Sequence, residues 1–283
     1  MPELPEVEVL ARHLRPLMRG KTVRAIVVQR AKVLSPTSIA TFKKNLLGAK
    51  FVDLTRRGKY LLFQLRPKNG IGEITLLGHL GMTGRMYLAG KDEPFPKHAA
   101  VVLNLGLKYF IYEDTRYFGR LTFDLSSVKT LGPEPLEEDF TVAGFAQALK
   151  KSRQPIKVKL LDQTLVAGVG NIYASEALFR AGLSPRRAAN KLTHAEVEKL
   201  WHAIRKVLGE AIACGSTLPL NFGVGKSDGL FYFGQAAGTP NFYTERMCVY
   251  DLAGEPCIRC GAPIKRIVQA ARSTFYCPRC QKS

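Results

Sequence analysis

Residues 131–140 read LGPEPLEEDF, and the apolar pattern differs on its two sides. Before this stretch, TVRAIVVQR, FVDL, KYLLFQL, EITLLGHL, AAVVLNLGLKYFIYE and RLTFDL succeed one another as β-branched and aromatic runs, separated by Gly, Pro, Lys and Asn turns. Strand follows strand with no helix between, which favours an antiparallel sandwich or barrel over a parallel sheet with crossover helices. After the stretch the apolar period becomes helical. The Pro, Gly and acidic residues of 131–140 punctuate the chain, so a domain boundary is expected there.

Working outward, Val7, Leu10, Ala11, Leu14 and Leu17 recur at helical spacing, which predicts an amphipathic helix from Glu3 to about Met18, stopped by Gly20. On the other side, Thr193 and Glu196 form a capping box ahead of Val197, Leu200, Trp201, Ile204, Val207, Leu208, Ala211 and Ile212, a one-faced run that ends at Gly215. Pro155 starts a shorter helix through Gln163, and the turn TLVAGVG leads into a helix from about Asn171 to Ala181, closed by Gly182. Residues 217–247 are rich in Gly and aromatics without a clear period and read as a long loop.

Forty-two Lys and Arg against 23 Asp and Glu give a net charge of +19 and a pI near 9.8. Such a field attracts polyanions and makes nucleic acid the first partner to consider. No apolar run reaches the length of a membrane span, and the N-terminus lacks the basic and apolar regions of a signal peptide. A soluble, cytoplasmic protein with no membrane partner and no small-molecule cofactor is expected. Cys257, Cys260, Cys277 and Cys280 read C-x2-C-x16-C-x2-C, a spacing that closes one tetrahedral, structural zinc site on a hairpin. A redox pair is the competing reading, but it expects a single Cys-x-x-Cys beside a βαβ unit. Cys214 and Cys248 read as small buried apolar residues. Lys265, Arg266 and Arg272 lie between the cysteine pairs and offer contacts to phosphate. The run AGVGN at 167–171 enters a helix, so it reads either as an anion site at a helix N-terminus or as a packing turn. Once Met1 is removed, Pro2 is a secondary amine, and an α-amino group of pKa about 7.7–8.0 is partly unprotonated at neutral pH. It can attack a sugar carbon, with Glu3 beside it to move protons.

These motifs together carry a resemblance. PELPEVE from Pro2 to Glu8 is similar to the N-terminal signature of the bacterial formamidopyrimidine-DNA glycosylases. RRGKYLL from Arg56, HLGMTG from His79, DTRYFG from Asp114, LGPEPL from Leu131, LDQTLVAGVGNIYASE from Leu161 and ARSTFYCPRCQ in the terminal ribbon resemble that family's motifs in the same order, over about four-fifths of the chain. The resemblance implies an α+β protein: an N-terminal helix with an antiparallel β-sandwich catalytic domain over 1–135, a helix-two-turns-helix domain over 136–245 that includes a lesion-recognition loop near 217–247, and a β-hairpin zinc ribbon over 246–283. It implies a monomer that binds damaged double-stranded DNA in a bacterial cytoplasm, where that DNA associates it with the nucleoid. The activity implied is base excision repair of oxidised purines by a glycosylase that is also an abasic-site lyase.

Carried over residue by residue, Pro2 is the Schiff-base nucleophile and Glu3 the acid/base that opens the sugar. Lys59 assists β-elimination, and Arg272 holds a phosphate and assists δ-elimination. Asn171 clamps a phosphate, while His98, Arg116, Arg153 and Lys157 contact DNA. Met82, Arg116 and Phe118 fill the hole left when the damaged base is flipped out of the stack. The PELPEV opening favours this branch over the related endonuclease VIII branch. One departure stands out. Relatives carry V-Y-G-R just before the first cysteines, whereas Val249 and Tyr250 here precede Asp251 and Leu252, after a lengthened loop. Two further readings therefore stand beside oxidised purines: the same chemistry on oxidised pyrimidines or abasic sites, and a catalytically idle damaged-DNA-binding protein.

Overall fold

The computed structural model describes residues 2–215 and 246–282, which fall into two compact units. The first holds Pro2 and Glu6–Lys129; the second holds Glu3–Pro5 with residues 130–215 and 246–282. Helix α1 (Leu4–Met18) thus begins in the second unit and continues in the first. No helix among the described residues is long and apolar enough to cross a membrane.

The first unit continues with β1 (Ala25–Val28), a 3-10 turn, α2 (Ile39–Leu46), β2 (Lys50–Arg57), β3 (Tyr60–Arg66), β4 (Ile74–His79), β5 (Arg85–Ala89), β6 (Ala99–Asn104), β7 (Tyr109–Glu113), β8 (Arg120–Thr122) and the single turn α3 (Ser126–Lys129). Its strands form two antiparallel four-stranded sheets, ordered β1-β6-β7-β5 and β2-β3-β4-β8. Alternation along β3 buries Leu61, Phe63 and Leu65. Phe63 meets Phe51 of its own sheet and Phe110 of the other edge-on, with centroids 6.0 and 5.7 Å apart, so the two sheets share one core. Val7, Leu10, Leu14 and Met18 of α1 enter it too. Each fully buried side chain of this kind stabilises the fold by about 1.5–3 kcal/mol. The run AAVVLNLGLKYFIYE folds as β6 and β7, turned at Gly106 with φ +100°.

The sequence reading did not anticipate α2 or β5. The first is eight residues long, capped by the Ser38 hydroxyl that accepts from Thr41 N–H, and anchored only by Phe42 and Leu46. The second is too short to show alternation and is defined by pairing with β7.

In the second unit, α4 (Val142–Lys150), α5 (Ile156–Leu160), α6 (Asn171–Ala181) and α7 (His194–Ala213) surround a core that includes Leu4, Phe145, Leu160, Tyr173, Leu178 and Leu200. The expected capping box opens α7: the Thr193 hydroxyl accepts from Glu196 N–H and the Glu196 carboxylate from Thr193 N–H. Helix α4 is a further element not anticipated. The stretch 131–140 is fastened to α7, because Trp201 Nε1 donates to Phe140 O at 2.7 Å and Arg205 Nη1 to Pro135 O at 2.9 Å. A hairpin of β9 (Lys265–Gln269) and β10 (Arg272–Tyr276) completes the unit. The fold is therefore α+β, with an N-terminal helix, an antiparallel sandwich, a helical part and a terminal hairpin.

Candidate active site and zinc centre

The turn before α6 is built around Glu3. Its carboxylate is 2% exposed and accepts from the backbone N–H of Ile172 at 2.9 Å and of Tyr173 at 3.5 Å, in the first turn of α6. The anion at this helix N-terminus is the chain's own carboxylate, placed where the free N–H groups and the helix dipole favour negative charge. The glycines of AGVGN make room for it. A Cβ on Gly170 would lie 2.3 Å from the Glu3 carboxyl carbon, and one on Gly168, whose φ is +84°, 2.6 Å from Leu4 Cβ. Gln163 holds the turn by donating to Val169 O at 2.9 Å and accepting from Gly168 N–H at 2.9 Å. Leu4 N–H donates to Gly168 O at 3.1 Å, which ties the chain's first turn to the same loop. Pro2, buried and peptide-bonded to Glu3, is thereby held beside a fixed carboxylate.

Asn171, the first residue of α6, joins two other expected site residues. Its Oδ1 accepts from Lys157 Nζ, and its Nδ2 donates to Ser273 O at 2.8 Å, next to Arg272. Lys157 is fully buried, and burial, reinforced by the charge of Arg272 against an opposing pull from Glu3, pushes its pKa down to about 8. Arg272 is exposed at the start of β10, and Arg153 is exposed between α4 and α5. The structure thus brings Glu3, Lys157, Asn171 and Arg272 to one region of the second unit.

In the first unit, Lys59 sits with Gly58 in the two-residue turn between β2 and β3, where Gly58 has φ +56°. The turn is braced by Arg56, which donates to Gly58 O at 3.0 Å and to Glu8 of α1 at 2.7 Å. Burial acts to raise the Glu8 pKa, but hydrogen bonds from Arg56 and Arg12 outweigh it and hold the carboxyl below its usual range. Lys59 is 7% exposed. Burial, with Lys59 and Arg120 nearby, pushes the His79 pKa down to about 4, so this ring is neutral at physiological pH and its Nδ1 accepts from Gly81 N–H at 3.2 Å.

Met82 and Phe118 are 44% and 50% exposed, on the loops that follow β4 and β7. Their two loops are pinned together by Asp114, which is fully buried. Its carboxylate accepts from Thr83 Oγ1 at 2.7 Å, Arg116 N–H at 3.1 Å and Gly119 N–H at 2.9 Å. Arg116 is exposed and lies over the Phe118 ring, 4.7 Å from its centroid. His98 is half-buried, with Nδ1 3.4 Å from the Tyr117 hydroxyl.

The four ribbon cysteines converge. Their sulfurs all lie within 4.8 Å of one another, with Cys257 and Cys280 3.9 Å apart and Cys260 and Cys277 3.5 Å apart. Tetrahedral zinc with Zn–S bonds of about 2.3 Å requires sulfurs about 3.8 Å apart, so the cluster fits the ion. Arg259 N–H to Cys257 Sγ at 3.4 Å and Cys280 N–H to Cys277 Sγ at 3.3 Å supply the charge-compensating bonds that thiolates need. One zinc here is structural: it fixes the hairpin that carries Arg272 and Ser273. Cys214 and Cys248 lie outside the cluster, both 9% exposed, and burial raises the Cys248 thiol to about 11, which makes it unreactive.

Three organising residues had no assigned role in the sequence reading. Asp114 and Gln163 act as above, and the buried Glu176 of α6 accepts from the N–H groups of Cys248, Val249 and Tyr250, each at 2.9 Å, fixing the chain that leads to the ribbon. The available signal was a charged or amide residue inside an otherwise apolar motif. Asp251, which the resemblance sets at the glycine of a V-Y-G-R run, has φ +62°, the left-handed region that glycine adopts most easily. Most of the lesion-recognition loop expected near 217–247 lies outside the described residues.

Family comparisons agree with this architecture. Models of the formamidopyrimidine-DNA glycosylase N-terminal domain, of that enzyme's H2TH domain and of the zinc finger found in FPG and IleRS match residues 1–121, 131–220 and 254–282. The formamidopyrimidine-DNA glycosylase of Thermus thermophilus is 42% identical over 288 residues, covering 99% of this chain and 98% of its own length. That of Carboxydothermus hydrogenoformans is 39% identical over 282 residues, covering both chains completely. Among solved structures, wild-type Lactococcus lactis Fpg bound to DNA containing N7-benzyl-Fapy-dG superposes with a TM-score of 0.86 at 34% identity over the whole of both chains. MutM bound to DNA containing carbocyclic 8-oxo-G does so with a TM-score of 0.86 at 35% identity. Motifs, fold, cysteine cluster and full-length relatives converge on one conclusion: this chain belongs to the formamidopyrimidine-DNA glycosylase family.

Proposed function

We propose that the chain is a bifunctional glycosylase and abasic-site lyase of base excision repair that removes 8-oxoguanine and formamidopyrimidines from duplex DNA. The observation that carries this reading is the buried Glu3 carboxylate, fixed by the first turn of α6 directly beside Pro2. With Met1 removed, the Pro2 nitrogen attacks C1′ of the damaged nucleotide. A C1′–N bond forms, the glycosidic bond breaks, and the base leaves with a proton while the sugar ring opens to an iminium ion. Glu3 delivers and recovers protons at the ring oxygen. Loss of a C2′ proton, assisted by Lys59, then expels the 3′ phosphate, and a second elimination, assisted by Arg272, expels the 5′ phosphate. Asn171, Lys157, Arg153 and His98 hold the backbone, and Met82, Arg116 and Phe118 occupy the vacated stack. Cys257, Cys260, Cys277 and Cys280 hold the zinc that keeps Arg272 in place.

The working parts are taken as 1–135 for chemistry, 136–245 for backbone grip and lesion recognition, and 246–283 for the ribbon. The enzyme acts as a monomer in a bacterial cytoplasm, on nucleoid DNA. The test uses protein whose N-terminus is shown by mass spectrometry to be Pro2, on a duplex with 8-oxoguanine opposite cytosine. Borohydride traps a covalent adduct, and without it a one-nucleotide gap forms. Absence of both on this duplex, with cleavage of an oxidised-pyrimidine duplex, transfers the chemistry to the other lesion class. Absence on every damaged duplex refutes catalysis.

A further inference from the structure

At the far end of α1 from Pro2, the first unit contains a pocket of about 530 Å³ that plays no part in the chemistry above. Pro16 and Leu17, near the end of α1, line it, and twelve residues of rise at about 1.5 Å each put them roughly 18 Å from Leu4 at the start of the helix. Lys21 and Arg24 follow α1, Lys91 follows β5, and Lys108 sits in the β6–β7 turn, so four cations reach it from three separate segments. All four are exposed, no carboxylate lines the pocket, and none of the four is in an ion pair among the described residues. A helix C-terminus favours nearby cations and accounts for Lys21. It does not account for Lys91 and Lys108. The walls between these charges are apolar, from Leu17 and Leu105, and Leu107 stands on the lip 85% exposed.

An apolar floor ringed by unpaired cations selects a ligand with both characters. A phosphate backbone satisfies the cations and leaves the leucines unused. A neutral apolar ligand does the reverse. We propose that this pocket docks an acidic peptide segment of a partner protein that carries one large apolar side chain, which fills the floor while flanking carboxylates meet Lys21, Arg24, Lys91 and Lys108. Such a contact would leave the duplex-facing groups free and couple the enzyme to another protein on the same DNA.

The test is fluorescence anisotropy with the full-length protein and a labelled peptide of five aspartates ending in phenylalanine. Replacing the phenylalanine by alanine should weaken binding at least about tenfold, since burying such a ring contributes roughly 1.5–3 kcal/mol. The double variant Lys21→Glu with Lys108→Glu, and separately Leu107→Ser at a position on which the fold does not depend, should each weaken the peptide by a similar factor. Both should keep wild-type binding to an undamaged duplex. Equal binding of the phenylalanine and alanine peptides would overturn the proposal in favour of non-specific attraction to a +19 protein. So would a loss of duplex affinity in the charge-reversed variant as large as its loss of peptide affinity, which would make the pocket a phosphate surface.

Discussion

Replacing Gly170 by alanine tests the Glu3 arrangement more selectively than replacing Glu3 itself. The backbone at Gly170 is extended, with φ −131° and ψ −156°, so alanine needs no new conformation there. The added Cβ would sit 2.3 Å from the Glu3 carboxyl carbon and 2.5 and 2.6 Å from its two oxygens. Ordinary carbon contacts are about 3.5–4.0 Å, so the carboxylate must move by roughly 1 Å or more. That shift breaks the 2.9 Å bond from Ile172 N–H. A hydrogen bond to a charged group is worth about 1.5–3 kcal/mol, and a reacting group misplaced by 1 Å loses about 10²-fold in rate. We therefore expect single-turnover excision of 8-oxoguanine to fall by about 10²-fold, toward the level of Glu3→Gln. Destabilisation should stay within about 3 kcal/mol, because the group that yields is the end of a side chain. Zinc content and affinity for a duplex with an abasic-site analogue should be unchanged. A folded Gly170→Ala protein that excises at the wild-type rate would refute the claim that the α6 turn positions Glu3 for catalysis.

Met82→Ala and Phe118→Ala remove half-exposed side chains and should alter stability by no more than about 0.5 kcal/mol, yet slow excision of a paired lesion about tenfold or more. Cleavage of a preformed abasic site should be retained, and equal losses on both substrates would count against a role in filling the stack. Lys157→Met should raise the thermal midpoint at pH 7 while weakening binding to an abasic duplex. The folded pKa near 8 lies below the unfolded value of about 10.5, so wild-type stability rises as pH goes from 8 to 10.5 and the advantage of the variant shrinks over that window. A constant difference in midpoint from pH 7 to 10 would show that burial of the charge is not the cause. Ala270 and Ala271 turn the β9–β10 hairpin with φ of 47° and 58°, which costs an L-residue about 1–2 kcal/mol each. Ala270→Asn with Ala271→Gly should stabilise the zinc-loaded ribbon, and a lower midpoint in calorimetry would contradict this. Chelation should release one zinc per chain and, by unfolding the hairpin, abolish duplex binding; binding that survives full metal loss would show that Arg272 does not need the ribbon.

The parts of this molecule that were legible in the sequence are those written in neighbouring residues. Thr193 and Glu196 announce α7 because a capping box spans three positions, and the cysteine spacing announces the ribbon because two knuckles make a metal site. Alternation marks β3 because one of its faces is buried. Helix α2 and strand β5 escape the same reading, since eight and five residues carry too few apolar positions to define a period. The site is less legible for a different reason. Glu3 finds its donors in Ile172 and Tyr173, and Asp114 reaches back to Thr83, so the groups that organise the chemistry are paired across 169, 170 and 31 positions. Periodicity cannot report such pairs; resemblance to a family named Glu3, while Asp114 became legible only in the structure. The residues alone left AGVGN open between an anion site and a packing turn, and the resemblance, by matching Asn171 to a phosphate-clamping asparagine, favoured the anion site. The structure shows why both descriptions were available. Gly170 is small so that Glu3 can pack against it, and what packs there is itself the anion on the helix N-terminus. Close packing and charge recognition are one contact at this turn, which is why a single methyl group at Gly170 is expected to separate folding from catalysis.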